Sequence, residues 1–474
     1  MHETRIFDIT IEICVIFLIV FMPFAFGGVG LGLQIILVSI CELMFFLALF
    51  KSAISGQPIF INTIFSYLFF FFLAIVFFQT IPLPPFVLKL LSPSTYRIYL
   101  DFLPGYQGNN IWRAISIHPQ ATNIELFKTL SYGIAAFLVI KNFNKKIQIT
   151  RILKAISAAG FILACFGIIQ RFTWNGMIYW IQPVPEGVMA FGPFVNKNHF
   201  AGFMELSIPM TAAFVFIADR IEKKVFFGFM TLVMLLALFL SLSRAGILSF
   251  CAATTFVFLA VLLRRSSANS RLTKYIFYMI LAFLIACTAI FFIAKDPLIE
   301  KFLGAPAAFL RRTSIYKDIF RMFGDFPVFG IGAGSFASIF AKYKSFNADM
   351  VFTHADSDWL QFLAETGLAG FLCIATSMWL FFKDILYCHF LGKGRCAFER
   401  QPSQEAVGGM RHDRFVLAVI LGGLISMTSI ILHATVDINL HIPSNAFLFC
   451  IIAAILITVA HNRFHKENDL QTGK

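Results

Sequence analysis

The residues best equipped for chemistry lie between positions 353 and 370, where the chain reads THADSDWLQFLAETGLAG. Asp358 followed three residues later by Gln361 has the spacing of a capping box, so a helix is expected to open there. That puts His354 and Asp356 just ahead of a helix N-terminus, whose partial positive charge and free N–H groups favour an anion such as a diphosphate. A histidine or carboxylate in that position can take a proton from an attacking hydroxyl. Two plainer readings stand beside this one. His354 can serve as a loop hydrogen-bonder with the aspartates only capping, or Asp356 and Asp358 can act as a pair of metal ligands.

Two arginines are candidates for holding the anion. Arg244, in SLSRAG, sits between two apolar runs with almost no loop to separate them. A cation at such a boundary either snorkels to headgroups or pairs with a bound anion. Arg312 lies in RRTSIYKDIFRMF (311–323), which has the period of an amphipathic helix. At ~100° per residue from Arg311, the residues Met322, Ile315, Ile319, Phe323, Tyr316 and Phe320 fall between about 20° and 180°, with Lys317, Arg321 and Asp318 opposite. Arg312 falls in the middle of that apolar face and needs a partner there. Its planar fork suits phosphate oxygens, and a loop carboxylate is the structural alternative. Asn198 and Lys197, in FVNKNHFAG at the start of another apolar run, are placed to support these groups, as are Arg311 and Arg171.

The scaffold that positions these residues must be hydrophobic. Of 474 residues, 59% are apolar and only 13% charged, and phenylalanine alone contributes 61. Ordinary soluble domains carry roughly 25% charged residues. The apolar residues come in uninterrupted runs rather than alternating, which also excludes an outer-membrane barrel. Runs of about 17–22 residues predict about twelve membrane spans, centred near residues 19, 40, 69, 133, 162, 208, 233, 254, 285, 374, 424 and 452. The expected fold class is an all-α, polytopic membrane bundle forming a single domain over residues 1–474. The first run, residues 11–27, lacks a small-x-small cleavage pattern and reads as a retained helix.

Chemistry of other kinds finds no support. The nine cysteines are scattered through apolar runs without zinc or disulfide spacing. There is no GxxxxGK[ST], HExxH or GxSxG, so a nucleotide-driven pump is disfavoured. Gly330, Gly332 and Gly334 in FGIGAGSF have no βαβ unit around them and read as a tight turn or close helix packing. No cofactor and no metal is expected.

The net charge of +13 reads as membrane topology rather than nucleic-acid binding. With the N-terminus inside, most lysines and arginines fall in inner segments, among them Lys51, Lys141, Lys145, Lys146, Arg151, Arg220, Lys223, Lys224, Arg264 and Arg265. Both termini are therefore expected to be cytoplasmic, including a tail at 461–474, and residues 383–414 form a basic, flexible inner loop. The outer segments long enough to build a site are 82–124, 170–198 and, largest, the loop 295–365 before the tenth span.

In their order along the chain, ISIHPQAT (115–122), FGPFVNKNHFAGF (191–203), SLSRAG (241–246), Arg312-x-x-x-Tyr316 leading into DFPVFGIGAGSF (325–336), and HADSDWLQFLAETGLAG (354–370) resemble the O-antigen ligase and Wzy-type polysaccharide polymerase superfamily. The resemblance covers most of the chain. It implies a GT-C-like helical fold with a long helical periplasmic loop, embedded in the bacterial inner membrane with its active site facing the periplasm. The implied activity is that of an inverting, metal-independent glycosyltransferase taking glycan from an undecaprenyl-diphosphate-linked donor. The implied acceptor is another glycan or lipid A-core, and the implied partners are the bilayer and other polysaccharide assembly proteins, with no nucleic acid. By the same resemblance, Arg244 and Arg312 hold the donor diphosphate. Family ligases carry His-[Asn/Ser/Gln]-x9-Gly-x-x-Gly, and counting back from Gly367 and Gly370 puts Asp356 at the histidine position. The base is thus either His354 or Asp356, and a polymerase is favoured over a lipid A-core ligase. A lipid-linked glycan flippase, which would need polar residues near mid-membrane, or a non-catalytic scaffold are the readings from other classes.

Overall fold

A computed structural model of the chain describes residues 4–59, 63–106, 111–184, 189–264, 305–346, 352–386 and 413–461. These contain fifteen α-helices. The first ten are α1 (Arg5–Phe24), α2 (Leu31–Ser55), α3 (Ile64–Phe78), α4 (Pro85–Leu91), α5 (Pro93–Phe102), α6 (Pro119–Asn142), α7 (Lys146–Phe172), α8 (Lys197–Ile217), α9 (Ile221–Leu240) and α10 (Arg244–Arg264). Then come α11 (Ala305–Asp325), α12 (Phe336–Tyr343), α13 (Asp358–Leu386), α14 (Arg414–His433) and α15 (Pro443–Ala460). The only sheet among the described residues is the two-stranded hairpin Met177–Ile178 with Gln182–Pro183.

Nine of these helices are long and apolar enough to cross a membrane, and α3 and α10 are shorter apolar helices at two further expected spans. The expected ninth span, near residue 285, and the loops 387–412 and 462–474 lie outside the described residues. The protein is an all-α, multi-pass membrane protein.

Without water inside the bilayer, helices associate through close packing and interhelical hydrogen bonds rather than through hydrophobic burial. The centre of the bundle follows that rule. Helix α8 packs against α7, α9, α10, α14 and α15. A Cβ on Gly422 of α14 would come within 2.7 Å of the Pro209 carbonyl oxygen of α8, so the two backbones touch. On the same contact, Ser426 Oγ donates to the Leu206 carbonyl at 2.8 Å, and Ser429 Oγ donates to Glu205 at 2.6 Å. His433 Nδ1 meets the other oxygen of Glu205 at 2.6 Å, with both side chains fully buried. Outward faces carry large apolar side chains such as Phe17, Phe46, Phe71, Phe229 and Phe256, as a lipid-facing surface should.

A second, smaller core forms outside the bundle. Ile315, Ile319 and Met322 of α11 pack with Phe336, Ile339 and Phe340 of α12 and with Ala355 and Ala364 around the start of α13. Helix α13 is two helical segments joined at Gly367 (φ 62°, ψ −169°). The break leaves backbone groups without helical partners, and the segment 327–332 satisfies them. Leu368 N and Ala369 N donate to the carbonyls of Pro327 and Val328 at 2.8 and 3.1 Å, while Ile331 N and Gly332 N donate to those of Ala364 and Glu365 at 3.0 Å each. Gly330, Gly332 and Gly334 all have positive φ. The glycine-rich motif is thus a close-packed turn against the helix break.

A Cβ on Gly367 would lie 2.3 Å from the Val328 carbonyl oxygen, in a backbone region essentially closed to other residues. Gly367→Ala is expected to lower stability by about 1–3 kcal/mol, read as a fall in Tm in detergent. Gly228→Ala, in α9 with open space around it, should leave Tm unchanged or raise it slightly.

Candidate active site

The polar residues of the segments expected to lie outside meet at one end of the bundle, where α8, α10 and α15 begin, α14 ends and α13 begins. The opposite end is marked by the ion pairs Lys51–Asp8, Arg151–Glu12, Lys146–Asp413 and His461–Asp384.

Helix α8 is capped by Asn196, whose side chain accepts from Asn198 N at 2.9 Å. That leaves the next side chains free to reach neighbouring elements. Lys197 Nζ donates to the Leu242 carbonyl at 2.7 Å, gripping a turn in which Leu242 adopts φ 55°. Asn198 accepts from Ser243 Oγ at 2.8 Å and donates to the Asp437 carboxylate. Arg244 follows directly as the first residue of α10 and is half-buried. His199 Nε2 lies 3.7 Å from the other oxygen of Asp437.

The chain then passes to Asp358, which is fully buried. Its N–H donates to the carbonyls of Ala434 and Asp437 at 2.9 and 3.0 Å. Its carboxylate accepts from Leu440 N at 2.8 Å and bonds His441 Nδ1. This corrects the expected capping box, because Asp358 clamps the turn between α14 and α15 instead of capping its own helix. Ser357 takes the cap, with Leu360 N at 3.4 Å from its hydroxyl. Both oxygens of Asp358, one of the two residues of the metal-pair alternative, bond the turn. Among the described residues no cluster of three or more His, Cys, Asp and Glu could hold a metal.

Gln361 folds back, its Oε1 accepting from Ala355 N at 3.1 Å, with His354 Nδ1 at 3.3 Å and Glu365 within 3.1 Å of its Nε2. Glu365 in turn accepts from the backbone of Gly334 at 2.9 Å and Phe336 at 3.3 Å. Asp356 adopts φ 51°, and the Tyr316 hydroxyl donates to the carbonyls of Asp356 and Thr435 at 3.1 and 3.2 Å.

Arg312 is half-buried, and it acts electrostatically on the Tyr316 hydroxyl together with Asp356 and Asp437. Its place on α11 differs from the expectation. Asp318, expected on the polar face, is fully buried, accepting from Ser345 N and Oγ at 2.9 and 3.0 Å, while Phe320, expected on the apolar face, is 56% exposed. Capping the chain at Ser345 rotates the buried stripe, so Arg312 sits on its shoulder. The Arg311 side chain lies outside what the structure describes. Arg171 is exposed at the end of α7 and lines a separate small hollow with Gln170, Trp174 and Phe191.

Sequence reading missed His441 and Asp437, whose signal was the polar residues within 437–445 between two spans, without any local motif spacing. His199 was legible as one of the polar residues at the start of its span but not as a partner of Asp437. His354 and His441 have ring centroids 6.1 Å apart, and Phe362 stacks on His441 at 4.7 Å. Burial, followed by the charge of His441, drives the His354 imidazole down to about 4. Burial would lower His441 too, but its bond to Asp358 and the charges of Asp358, Glu365 and Glu125 outweigh that and raise it above the ordinary histidine value.

Beside this network a cavity of about 820 Å³ runs between α2, α3, α6, α13, α14 and α15. Glu125, Lys128, Glu365 and His441 line one end, and Phe381 and Ile457 lie towards the other. Along the second segment of α13, from Leu368 to Phe381, the rise is about 20 Å, about two thirds of the ~30 Å thickness of a hydrocarbon core.

A family model described as O-antigen ligase matches residues 229–375. That stretch carries Arg244, Arg312, His354 and Asp356, and the match supports the resemblance to the O-antigen ligase and Wzy superfamily. No curated protein matches the chain.

His354, neutral in the folded protein down to about pH 4, titrates near 6.5 once unfolded. The unfolded chain therefore binds the proton first, and this residue's contribution to stability is complete above about pH 6.5 and lost as the pH falls towards 4. Tm measured at pH 7.5 and 4.5 should drop less in His354→Gln than in the wild type; equal drops would show that no such shift exists.

Proposed function

We propose that this membrane protein, similar over residues 229–375 to O-antigen ligases, transfers a glycan from an undecaprenyl-diphosphate-linked donor to an acceptor hydroxyl at the outer face of the bacterial inner membrane. The observation that supports this best is convergence. The turn before Arg244, the loop of His354 and Asp356, and Tyr316, one helical turn from Arg312, share one polar network at one end of an apolar bundle.

In this reading Arg244 and Arg312 bind the diphosphate and stabilise the charge that grows as it leaves. The partial positive ends of α10 and α13 add to that field. The acceptor oxygen attacks the anomeric carbon opposite the leaving diphosphate, so configuration inverts. Its proton passes to a base in the cluster around His354 and Asp356. A lipid diphosphate is already an activated leaving group, so neither nucleotide nor metal is required for the step. The long apolar cavity suits the hydrocarbon of a lipid-linked substrate. The acceptor is another lipid-linked glycan in a polymerase, which the aspartate at position 356 favours, or lipid A-core in a ligase. Other polysaccharide assembly proteins would be its partners, with both termini cytoplasmic.

The flippase reading needs polar groups available near mid-membrane. The buried pair Glu205 and His433 is polar, but Glu205 is sealed between Ser429 and His433 on packed helices, which supports a structural tie.

In proteoliposomes supplied with a polyprenyl-diphosphate-linked oligosaccharide, Arg244→Ala and Arg312→Ala should each lower kcat by about 10²–10³-fold. Lysine at either position should restore activity only in part, because it lacks the planar fork. Normal transfer by both alanine variants would overturn the diphosphate assignment.

A further inference from the structure

The motif that suggests a base in the loop before α13 stops short of the best-built imidazole in the site. His441 lies 83 positions after Asp358 in the chain, yet the two form a buried carboxylate–imidazole pair. We propose that His441, oriented by Asp358, is the group that takes the proton of the acceptor hydroxyl, an assignment that rests on the glycan-transfer reading above.

Geometry carries the assignment. Asp358 holds Nδ1, which fixes that nitrogen as the donor and leaves Nε2 as the acceptor when the ring is neutral. Among the described residues no protein group hydrogen-bonds Nε2. The ring cannot swing away, because Phe362 stacks on it and Leu440 N anchors the adjoining backbone to the same carboxylate. The imidazole also lines the polar end of the cavity beside Glu365, which is where a hydroxyl carried on a lipid-linked acceptor would approach it.

His354 is less suited to the task. Its Nδ1 is engaged by Gln361, it has no bonded carboxylate, and a charge on it would face His441 across 6.1 Å between ring centroids. The charged and titratable groups facing His441 are Asp358 and Glu365 from α13, Glu125 from α6 with Lys128 paired to it at 2.6 Å, and His354 from the loop before α13. Lys128 offsets Glu125, and the carboxylates of Asp358 and Glu365 favour an imidazolium once the proton arrives.

The step balances without a co-reactant. The acceptor oxygen forms a bond to the anomeric carbon, and the bond from that carbon to the diphosphate oxygen breaks with its electron pair leaving on the diphosphate. The hydroxyl proton goes to His441 Nε2 and from there to water. Asp358 acts as a positioning residue.

The test uses the full chain in proteoliposomes with a synthetic polyprenyl-diphosphate-linked oligosaccharide as donor and acceptor. Transfer is followed by gel, and retention of the donor by native mass spectrometry. His441→Gln and His441→Ala are expected to lose about 10²–10⁴-fold in kcat while retaining donor as the wild type does, with added imidazole restoring part of the His441→Ala rate. Asp358→Asn removes the carboxylate that raises the His441 pKa, so the acid limb of kcat/KM should move to lower pH and the plateau should fall. Wild-type turnover in both His441 variants, or loss of donor retention in them without imidazole rescue, would overturn the assignment and leave glycan transfer standing. A wild-type protein that transfers nothing from this donor would overturn both.

Discussion

A carboxylate buried at the junction of three helices organises this end of the protein. Asp358 begins α13, and from that position it holds the turn linking α14 to α15 through two carbonyls, one amide and one imidazole. Burying an ionised carboxylate is costly unless its oxygens are hydrogen-bonded and opposite charge is close. Here the oxygens accept from Leu440 N and from Nδ1–H of His441, and the helix N-terminus adds favourable potential. Removing either partner would leave the charge uncompensated. The turn 434–442 is therefore fixed against α13, and whatever that turn carries inherits a defined position.

What the turn carries is the rest of the network. Asp437 reaches Asn198 at the start of α8, and Asn198 reaches Ser243 at the start of α10. A single chain of polar contacts thus joins α13, the α14–α15 turn, α8 and the residue preceding Arg244. A parallel chain runs through Gln361 and Glu365 to the amides of Gly334 and Phe336. Gln79 of the α3 end joins it by bonding the Glu365 carbonyl at 2.8 Å and receiving Ala333 N at 3.1 Å. The glycines make this second chain possible, since a side chain on Gly330 would collide with the Glu365 backbone at 2.4 Å. Both chains start from the first segment of α13, which is why the break at Gly367 matters: it ends that segment and frees the backbone groups that the 327–332 segment binds.

The spans were legible because the bilayer dictates them. A stretch that must satisfy all its backbone groups internally and face hydrocarbon outside has few sequence solutions, and eleven of the expected spans are helices in the structure. The candidate residues of the matched stretch were legible as polar exceptions to that rule. Less could be read where pairing is non-local. The Asp358–Gln361 spacing fits a capping box, but spacing says nothing of a histidine 83 positions on that competes for the same carboxylate. Likewise the helical period of α11 puts Asp318 on the polar face, whereas the amide and hydroxyl of Ser345 make it an inward-facing residue. Periodicity reports the average environment of a face, and one buried hydrogen-bonded carboxylate is enough to turn it.

The two ends of the bundle use charge differently, and the difference bears on which end is built for chemistry. At the far end charge comes as separate pairs: Lys146 and Asp413 are 52% and 42% exposed, Arg151 is 49% exposed over a buried Glu12, and His461 and Asp384 are buried together. The exposed pairs are screened by water and contribute little to stability or geometry. At the near end Asp358, Asp437, Glu365 and His441 are all nearly buried; the three carboxylates accept from backbone N–H groups, and Asp358 also bonds His441. Dipoles and charges held that way need no reorganisation when a new charge develops beside them, which is the physical requirement for stabilising a departing diphosphate and an arriving proton. Under the transfer proposed above, the buried network beside the apolar cavity would supply that fixed charge, because Glu365 and His441 belong to both.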